Sequence, residues 1–167
     1  MNIETNLMLP EYKSLVDILF ENKSPILIPN CSYKHNTIIN ELILKNTPDN
    51  GTIYIFSKHL KKKLFENESF LKEVEQAIKR NIVFHISCVK TCESNKFKDL
   101  LKNSIKENVC PLIMEEKNKK YFVEFFTNGT AVSLIKNESD ESLTSGNDPK
   151  AGEKLISAFK QINNLTF

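Results

Sequence analysis

Residues that can bind phosphate or act as nucleophiles follow three predicted strands of this chain. They lie in the segments 29–35, 57–59 and 88–92. Because the carboxyl ends of parallel strands meet at one edge of a sheet, these segments predict a common ligand-binding rim. Its principal members are Cys31, His35, Ser57, Lys58 and His59.

One hypothesis for this rim is hydrolysis of a phosphodiester or another small substrate. Such an enzyme would use His59, Lys58 and His35. A thiol nucleophile at Cys31, beside either histidine, is a second chemistry for the same residues. The competing interpretation is that these segments are ordinary polar loops.

The sequence gives little support to a metal site. His85, Cys88 and Cys92 contain the right ligand atoms for zinc, as do Cys31 and His35. However, no second cysteine pair follows, and His85 and Cys88 point to opposite faces of a regular strand. We therefore expect no metal and no cofactor, and interpret the cysteines as reduced, packed thiols.

Two short basic segments could bind nucleic acid through its phosphates. The chain has 23 basic and 21 acidic residues, a net charge of +2, so only a local patch could attract a polyanion. The competing interpretation is a solvated helix face. The cationic residues concerned are Lys58, Lys61, Lys62, Lys63, Lys79 and Arg80.

Short apolar runs, typical of strands, alternate along the chain with segments of helical periodicity, and they predict the elements that position these residues. A helix over 58–81 is expected to break near Asn67. The alternation predicts a single domain over 1–167, with a three-layer α/β/α fold and a mixed, mostly parallel sheet. The predicted strands are 25–29, 52–57, 82–89 and 109–115, and the other helices are 10–21, 33–46 and 95–108.

The C-terminal third predicts a β-hairpin followed by a helix. The β-rich runs 120–126 and 131–136 flank Asn128-Gly129, which is a strong hairpin signal. The segment 137–147 is predicted as a polar loop. Asp148 is expected to cap the last helix, with Pro149 in its first turn.

This arrangement resembles one half of a phospholipase D superfamily domain. The resemblance is carried by Asn128-Gly129, by "ESDESLTSGNDP" and "AGEKLISAF", and by the strand–helix–strand pattern that turns at Arg80-Asn81. It covers roughly residues 26–162 and implies that family's α/β fold. The family's catalytic motif, His-x-Lys-x4-Asp, reads here Tyr121-x-Val123-x4-Asn128.

The loss of this motif implies a degenerate, non-catalytic member. Tyr is a poor nucleophile at neutral pH, and Val cannot bind phosphate. Our main expectation is therefore a binding, regulatory or protein-interaction module that pairs with a protein partner or with itself as a homodimer. The predicted interface strand carries Tyr121, Phe122, Phe125 and Phe126.

The bulk sequence predicts a soluble bacterial protein. No apolar run approaches the ~20 residues of a membrane-spanning helix. The N-terminal segment has neither the basic region nor the apolar core of a secretory signal. We therefore expect a cytoplasmic protein without membrane contact.

Overall fold

The computed structural model describes residues 9–30, 32–88, 92–102, 105–107, 123–136 and 142–164. Six helices are described: α1 (Leu9–Glu21), α2 (Tyr33–Lys45), α3 (Lys62–Phe65), α4 (Glu68–Lys79), α5 (Asn95–Leu100) and α6 (Pro149–Asn164). The described strands are β1 (Leu27–Asn30), β2 (Thr52–Ser57), β3 (Val83–Cys88), β4 (Ile105–Glu107), β5 (Val123–Thr127), β6 (Val132–Lys136) and β7 (Ser142–Ser145).

All seven described strands form one mixed sheet, so the fold is α/β as predicted. Their order across the sheet is β1-β7-β6-β5-β2-β3-β4. The strands β2, β3 and β4 are parallel, because helices return the chain to the same sheet edge between them. The strands β5 and β6 form the predicted antiparallel hairpin, and β5 joins β2.

The parallel part of the sheet is smaller than predicted. The first strand does not extend the parallel set; it pairs antiparallel with β7 at the far edge. Pro29 lies in this strand, and an edge position suits a residue that cannot donate a ladder hydrogen bond. With β5, β6 and β7 also antiparallel to their neighbours, antiparallel pairings outnumber parallel ones.

Two other segments differ from the sequence prediction. The helix expected over 95–108 ends at Leu100, and Ile105 instead pairs with Ile86 of β3. The loop expected over 137–147 contains the strand β7. In both segments long-range strand pairing overrides a local pattern that is too short or too polar to signal it. The strand predicted over 109–115 lies outside the described residues.

Helices cover both faces of the sheet, which gives the predicted three layers. The main core lies between one face and helices α1 to α5, and includes Val16, Ile39, Phe70 and Phe97. A smaller cluster of Phe56, Phe125 and Phe159 joins the other face to α6. Alternation in β3 is as predicted, with Phe84, Ile86 and Cys88 in the main core and His85 on the other face.

Side-chain caps explain where several helices begin. Asn67 separates α3 from α4, as predicted, and its side chain accepts a hydrogen bond from the Ser69 backbone N–H. Ser32 and Asp148 accept from the backbone N–H groups of His35 and Ala151 in the same way. Among the described residues, no helix is long and apolar enough to cross a membrane.

Candidate functional site

A narrow cleft opens at the carboxyl end of β2, on the face of the sheet that carries α2 and α3. Its cavity is small, about 30 Å³, and it widens into an open mouth. Its walls are mainly apolar, with Leu64, Phe65 and Phe126 among them. The site therefore lies where α/β sheets bind ligands, at the edge predicted from the sequence.

A buried carboxylate lines the cleft at this edge of the sheet. Glu124 of β5 is 7% exposed, and its Oε1 accepts a hydrogen bond from the Ser57 hydroxyl at 2.8 Å. The same oxygen accepts from the Lys58 backbone N–H, and Ser57 Oγ accepts in turn from the Leu60 N–H at 3.0 Å. This network fixes the loop that leads from β2 to α3.

The cleft also contains a buried amide, that of Asn40, which has no hydrogen-bond partner among the described residues. Asn40 of α2 is 2% exposed and lines the cleft. Within the described residues its side chain makes no hydrogen bond, and neither does the second carboxylate oxygen of Glu124. Because buried polar groups are normally paired, both groups can offer hydrogen bonds to a molecule in the cleft.

Two lysines converge on one aromatic ring at the mouth of the cleft. Lys61 Nζ donates to the Tyr33 hydroxyl at 3.1 Å and lies 5.7 Å from the ring centroid. Lys63 Nζ lies 5.3 Å from the same centroid. The ring face attracts both ammonium groups, but they repel each other, so a shared anion would stabilise the arrangement.

The structure separates the members of the predicted rim. Ser57 and Lys58 lie at the cleft edge, where their contacts to Glu124 are structural. His59 is half-buried beside them, and its carbonyl accepts from the Glu93 N–H at 2.7 Å. His35 does not lie on an open rim: it is buried, with its ring 4.1 Å from that of Tyr12. Cys31 lies outside the described residues.

The predicted cationic residues do not form one surface. Lys58, Lys61, Lys62 and Lys63 lie at the carboxyl edge, whereas α4 ends near the amino edge, where Val83 pairs with Thr52. Six residues of β2 separate the two edges by about 20 Å. Arg80 is also occupied structurally, donating to the Leu44 and Thr47 carbonyls at 2.7 and 2.6 Å.

The two described cysteines are packed as free thiols and do not belong to a cluster of metal ligands. Cys88 and Cys92 are buried and free of disulfides. His85 lies on the opposite sheet face from Cys88, where its ring stacks on Tyr54 at 5.0 Å. In the described part of the chain, no three His, Cys, Asp or Glu residues come together as metal ligands would.

The hairpin does not provide the predicted interface in its described part. Phe125 and Phe126 point to opposite faces and are both buried within this chain, so they are not an exposed docking strand. Tyr121 and Phe122 lie outside the described residues. Asn128 caps the hairpin turn by accepting from the Thr130 and Ala131 N–H groups, at the opposite end of β5 from the cleft.

Sequence reasoning missed three residues of the cleft: Tyr33, Asn40 and Glu124. Tyr33 lies within the first predicted rim segment, at the start of α2, and Asn40 follows on the same helix; their spacing of seven residues places them on one helix face. Glu124 interrupts an aromatic strand with a charge, and a charge at a core-facing strand position was the available signal.

Comparison with known proteins supports the fold but gives no family. No family model matches this sequence, and no curated protein matches it. Among solved structures, the chain is similar to TrmBL2, described as an archaeal chromatin protein that shows a novel mode of DNA binding. The TM-score is 0.54 at 9% identity, over 89% of this chain. The match spans 58% of that chain's length.

Proposed function

We propose that this chain binds nucleic acid at the carboxyl edge of its sheet, through the basic mouth of the cleft. We define the basic mouth as Tyr33, Lys61, Lys62 and Lys63. The observation that carries the proposal is the convergence of Lys61 and Lys63 on the Tyr33 ring. Closely spaced ammonium groups are suited to adjacent phosphate oxygens, and an aromatic ring beside them suits a base or sugar.

The charge distribution is consistent with this site. The chain is nearly neutral, yet Lys61, Lys62 and Lys63 are consecutive. In the part of the chain that the structure describes, Lys62 and Lys63 form no ion pair of the kind that holds Lys13 to Asp17 or Lys72 to Glu68. The DNA binding described for TrmBL2 adds support at the level of protein class.

Two earlier hypotheses receive less support. A protein-interaction module was expected to expose the hairpin aromatics, but Phe125 and Phe126 are covered. A hydrolase was expected to bring His35 to the rim, but His35 packs against Tyr12. The phospholipase D-like origin of the domain stays a prediction, since it rests on sequence patterns alone: the C-terminal segment and the strand–helix–strand pattern that turns at Arg80-Asn81.

The test is a salt titration of binding to fluorescent single-stranded and duplex DNA, read by anisotropy. Replacing Lys61, Lys62 and Lys63 together by Gln should weaken binding and reduce the slope of log affinity against log salt by about 2. The control replaces Lys13, Lys72 and Lys154, exposed lysines on three other helices, and changes the net charge equally. Absent binding, or equal effects of the two triple variants, would contradict the proposal.

A further inference from the structure

We infer that the cleft behind the basic mouth binds a single unpaired nucleobase, with the attached phosphate held outside by Lys61 and Lys63. This inference rests on the proposed function and specifies what enters the cleft. It follows from the shape of the cleft, from its two available buried polar groups and from their position behind the lysines.

The shape favours a flat ligand. The cavity is only about 30 Å³ beneath an open mouth, so a ligand that enters it must be thin in at least one direction. A planar ring fits such a space better than a bulky, puckered molecule of the same mass. The apolar side chains of Leu64, Phe65 and Phe126 line it and exclude water from the ring faces.

The polar groups favour the edge of a base. The Asn40 amide offers a donor and an acceptor side by side, which is the pattern that pairs with the edge of adenine. Glu124 offers a carboxylate oxygen, which accepts from an exocyclic amino group. Together they favour a base that carries an amino group, and they disfavour thymine or uracil, whose carbonyl oxygens would face a carboxylate.

The position of the cleft limits how the base can arrive. The half-buried residues of its lining include Tyr33 and Lys61, which marks the mouth. A base in a duplex is stacked and paired, so it can enter only after it is extruded, whereas a base in a single strand or a free nucleotide enters directly. All these sources present a base with a phosphate, and the experiment separates them.

The experiment measures binding of four probes to the full chain: ten-residue dA and dT single strands, a duplex, and adenosine monophosphate. The variant is Asn40→Leu, which keeps the side-chain size and removes both hydrogen-bonding groups. We expect the dA strand to bind at least about fivefold tighter than dT, and Asn40→Leu to remove that preference without changing the salt slope. The variant should remain folded, because the amide has no hydrogen-bond partner among the described residues to lose.

A second variant tests the carboxylate of Glu124. Glu124→Gln retains an acceptor for Ser57 and Lys58 but adds an amide donor, so it should lower the preference for dA over dT. If adenosine monophosphate binds as tightly as the dA strand, and Asn40→Leu weakens both equally, the ligand is a free nucleotide and the chemistry of the cleft is unchanged. Equal binding of dA and dT, unaltered by either variant, overturns the inference. If the triple lysine variant still loses binding in that case, the proposed function stands; if no probe binds, both fail.

Discussion

Glu124 is the residue whose removal should most directly loosen the cleft. Its Oε1 holds the Ser57 hydroxyl and the Lys58 N–H in a buried position. In Glu124→Ala these two donors lose their acceptor, and we expect the free energy of unfolding to fall by about 1–3 kcal/mol. Urea denaturation measures this loss.

The matched control for this measurement is Glu75→Ala, which removes an exposed carboxylate on α4. Its effect should stay within about 0.5 kcal/mol. Equal losses in the two variants would show that the Glu124 network does not stabilise the fold.

Individual residues were the level at which the sequence was least informative. The sequence identified Ser57 and Lys58 by their position after a strand, but it could not show that Glu124, 66 residues beyond Lys58, would occupy their polar groups. The sequence assigned His35 to the rim because His35 follows the strand β1. In the structure, however, His35 lies in the first turn of α2, and its side chain packs against Tyr12. Such outcomes depend on which elements become neighbours, and local spacing does not encode that.

At the level of elements, Arg80 joins two helices and a turn. Its guanidinium donates to the Leu44 and Thr47 carbonyls at the end of α2, and it lies 3.6 Å from Asp49. Arg80→Ala leaves helix-end carbonyls without their donor, so we expect a loss of about 1–3 kcal/mol of stability in thermal or urea unfolding.

Lys79→Ala is the control for Arg80→Ala, because Lys79 is the adjacent residue and its side chain is exposed. The Lys79→Ala variant should change the free energy of unfolding by less than about 0.5 kcal/mol. Neither variant should change the salt dependence of DNA binding, because both residues lie at the amino edge of the sheet. A reduced salt slope in Arg80→Ala with normal stability would restore the earlier hypothesis that this pair binds phosphates.

The elements themselves were largely predictable, and the exceptions share one cause. Strong local signals located α2, the break at Asn67, the hairpin around Asn128 and the cap at Asp148. The strand β7 was missed because Ser142, Thr144 and Ser145 are polar, and they are buried only by pairing with β1 and β6. The same long-range pairing determines that β1 lies antiparallel, which no pattern within residues 25–29 could reveal.

At the scale of the whole molecule, the cleft and the last helix lie on opposite faces of the sheet. The cleft opens on the side of α2 and α3, whereas Phe159 of α6 packs on the other side of the sheet with Phe56 and Phe125, two strand residues that also border the cleft. The sheet between them is continuous from β1 to β4. A change where α6 meets the hairpin turn, at the end of β5 away from the cleft, should therefore alter stability without altering the contacts available to a ligand.

Gly152 provides the test of this separation. A Cβ atom on Gly152 would lie 2.0 Å from the carbonyl oxygen of Gly129 in the hairpin turn, so Gly152→Ala must push α6 away from the turn. We expect a loss of about 1–3 kcal/mol in urea unfolding from this overpacking, although alanine is the better helix former. Ser157→Ala, at an exposed position of the same helix, should be neutral or slightly stabilising.

Under conditions where Gly152→Ala remains folded, its affinity for DNA should equal that of the unmodified chain. Weakened DNA binding by a fully folded Gly152→Ala variant would instead place α6 in the binding surface, and it would require the site to extend across both faces of the sheet.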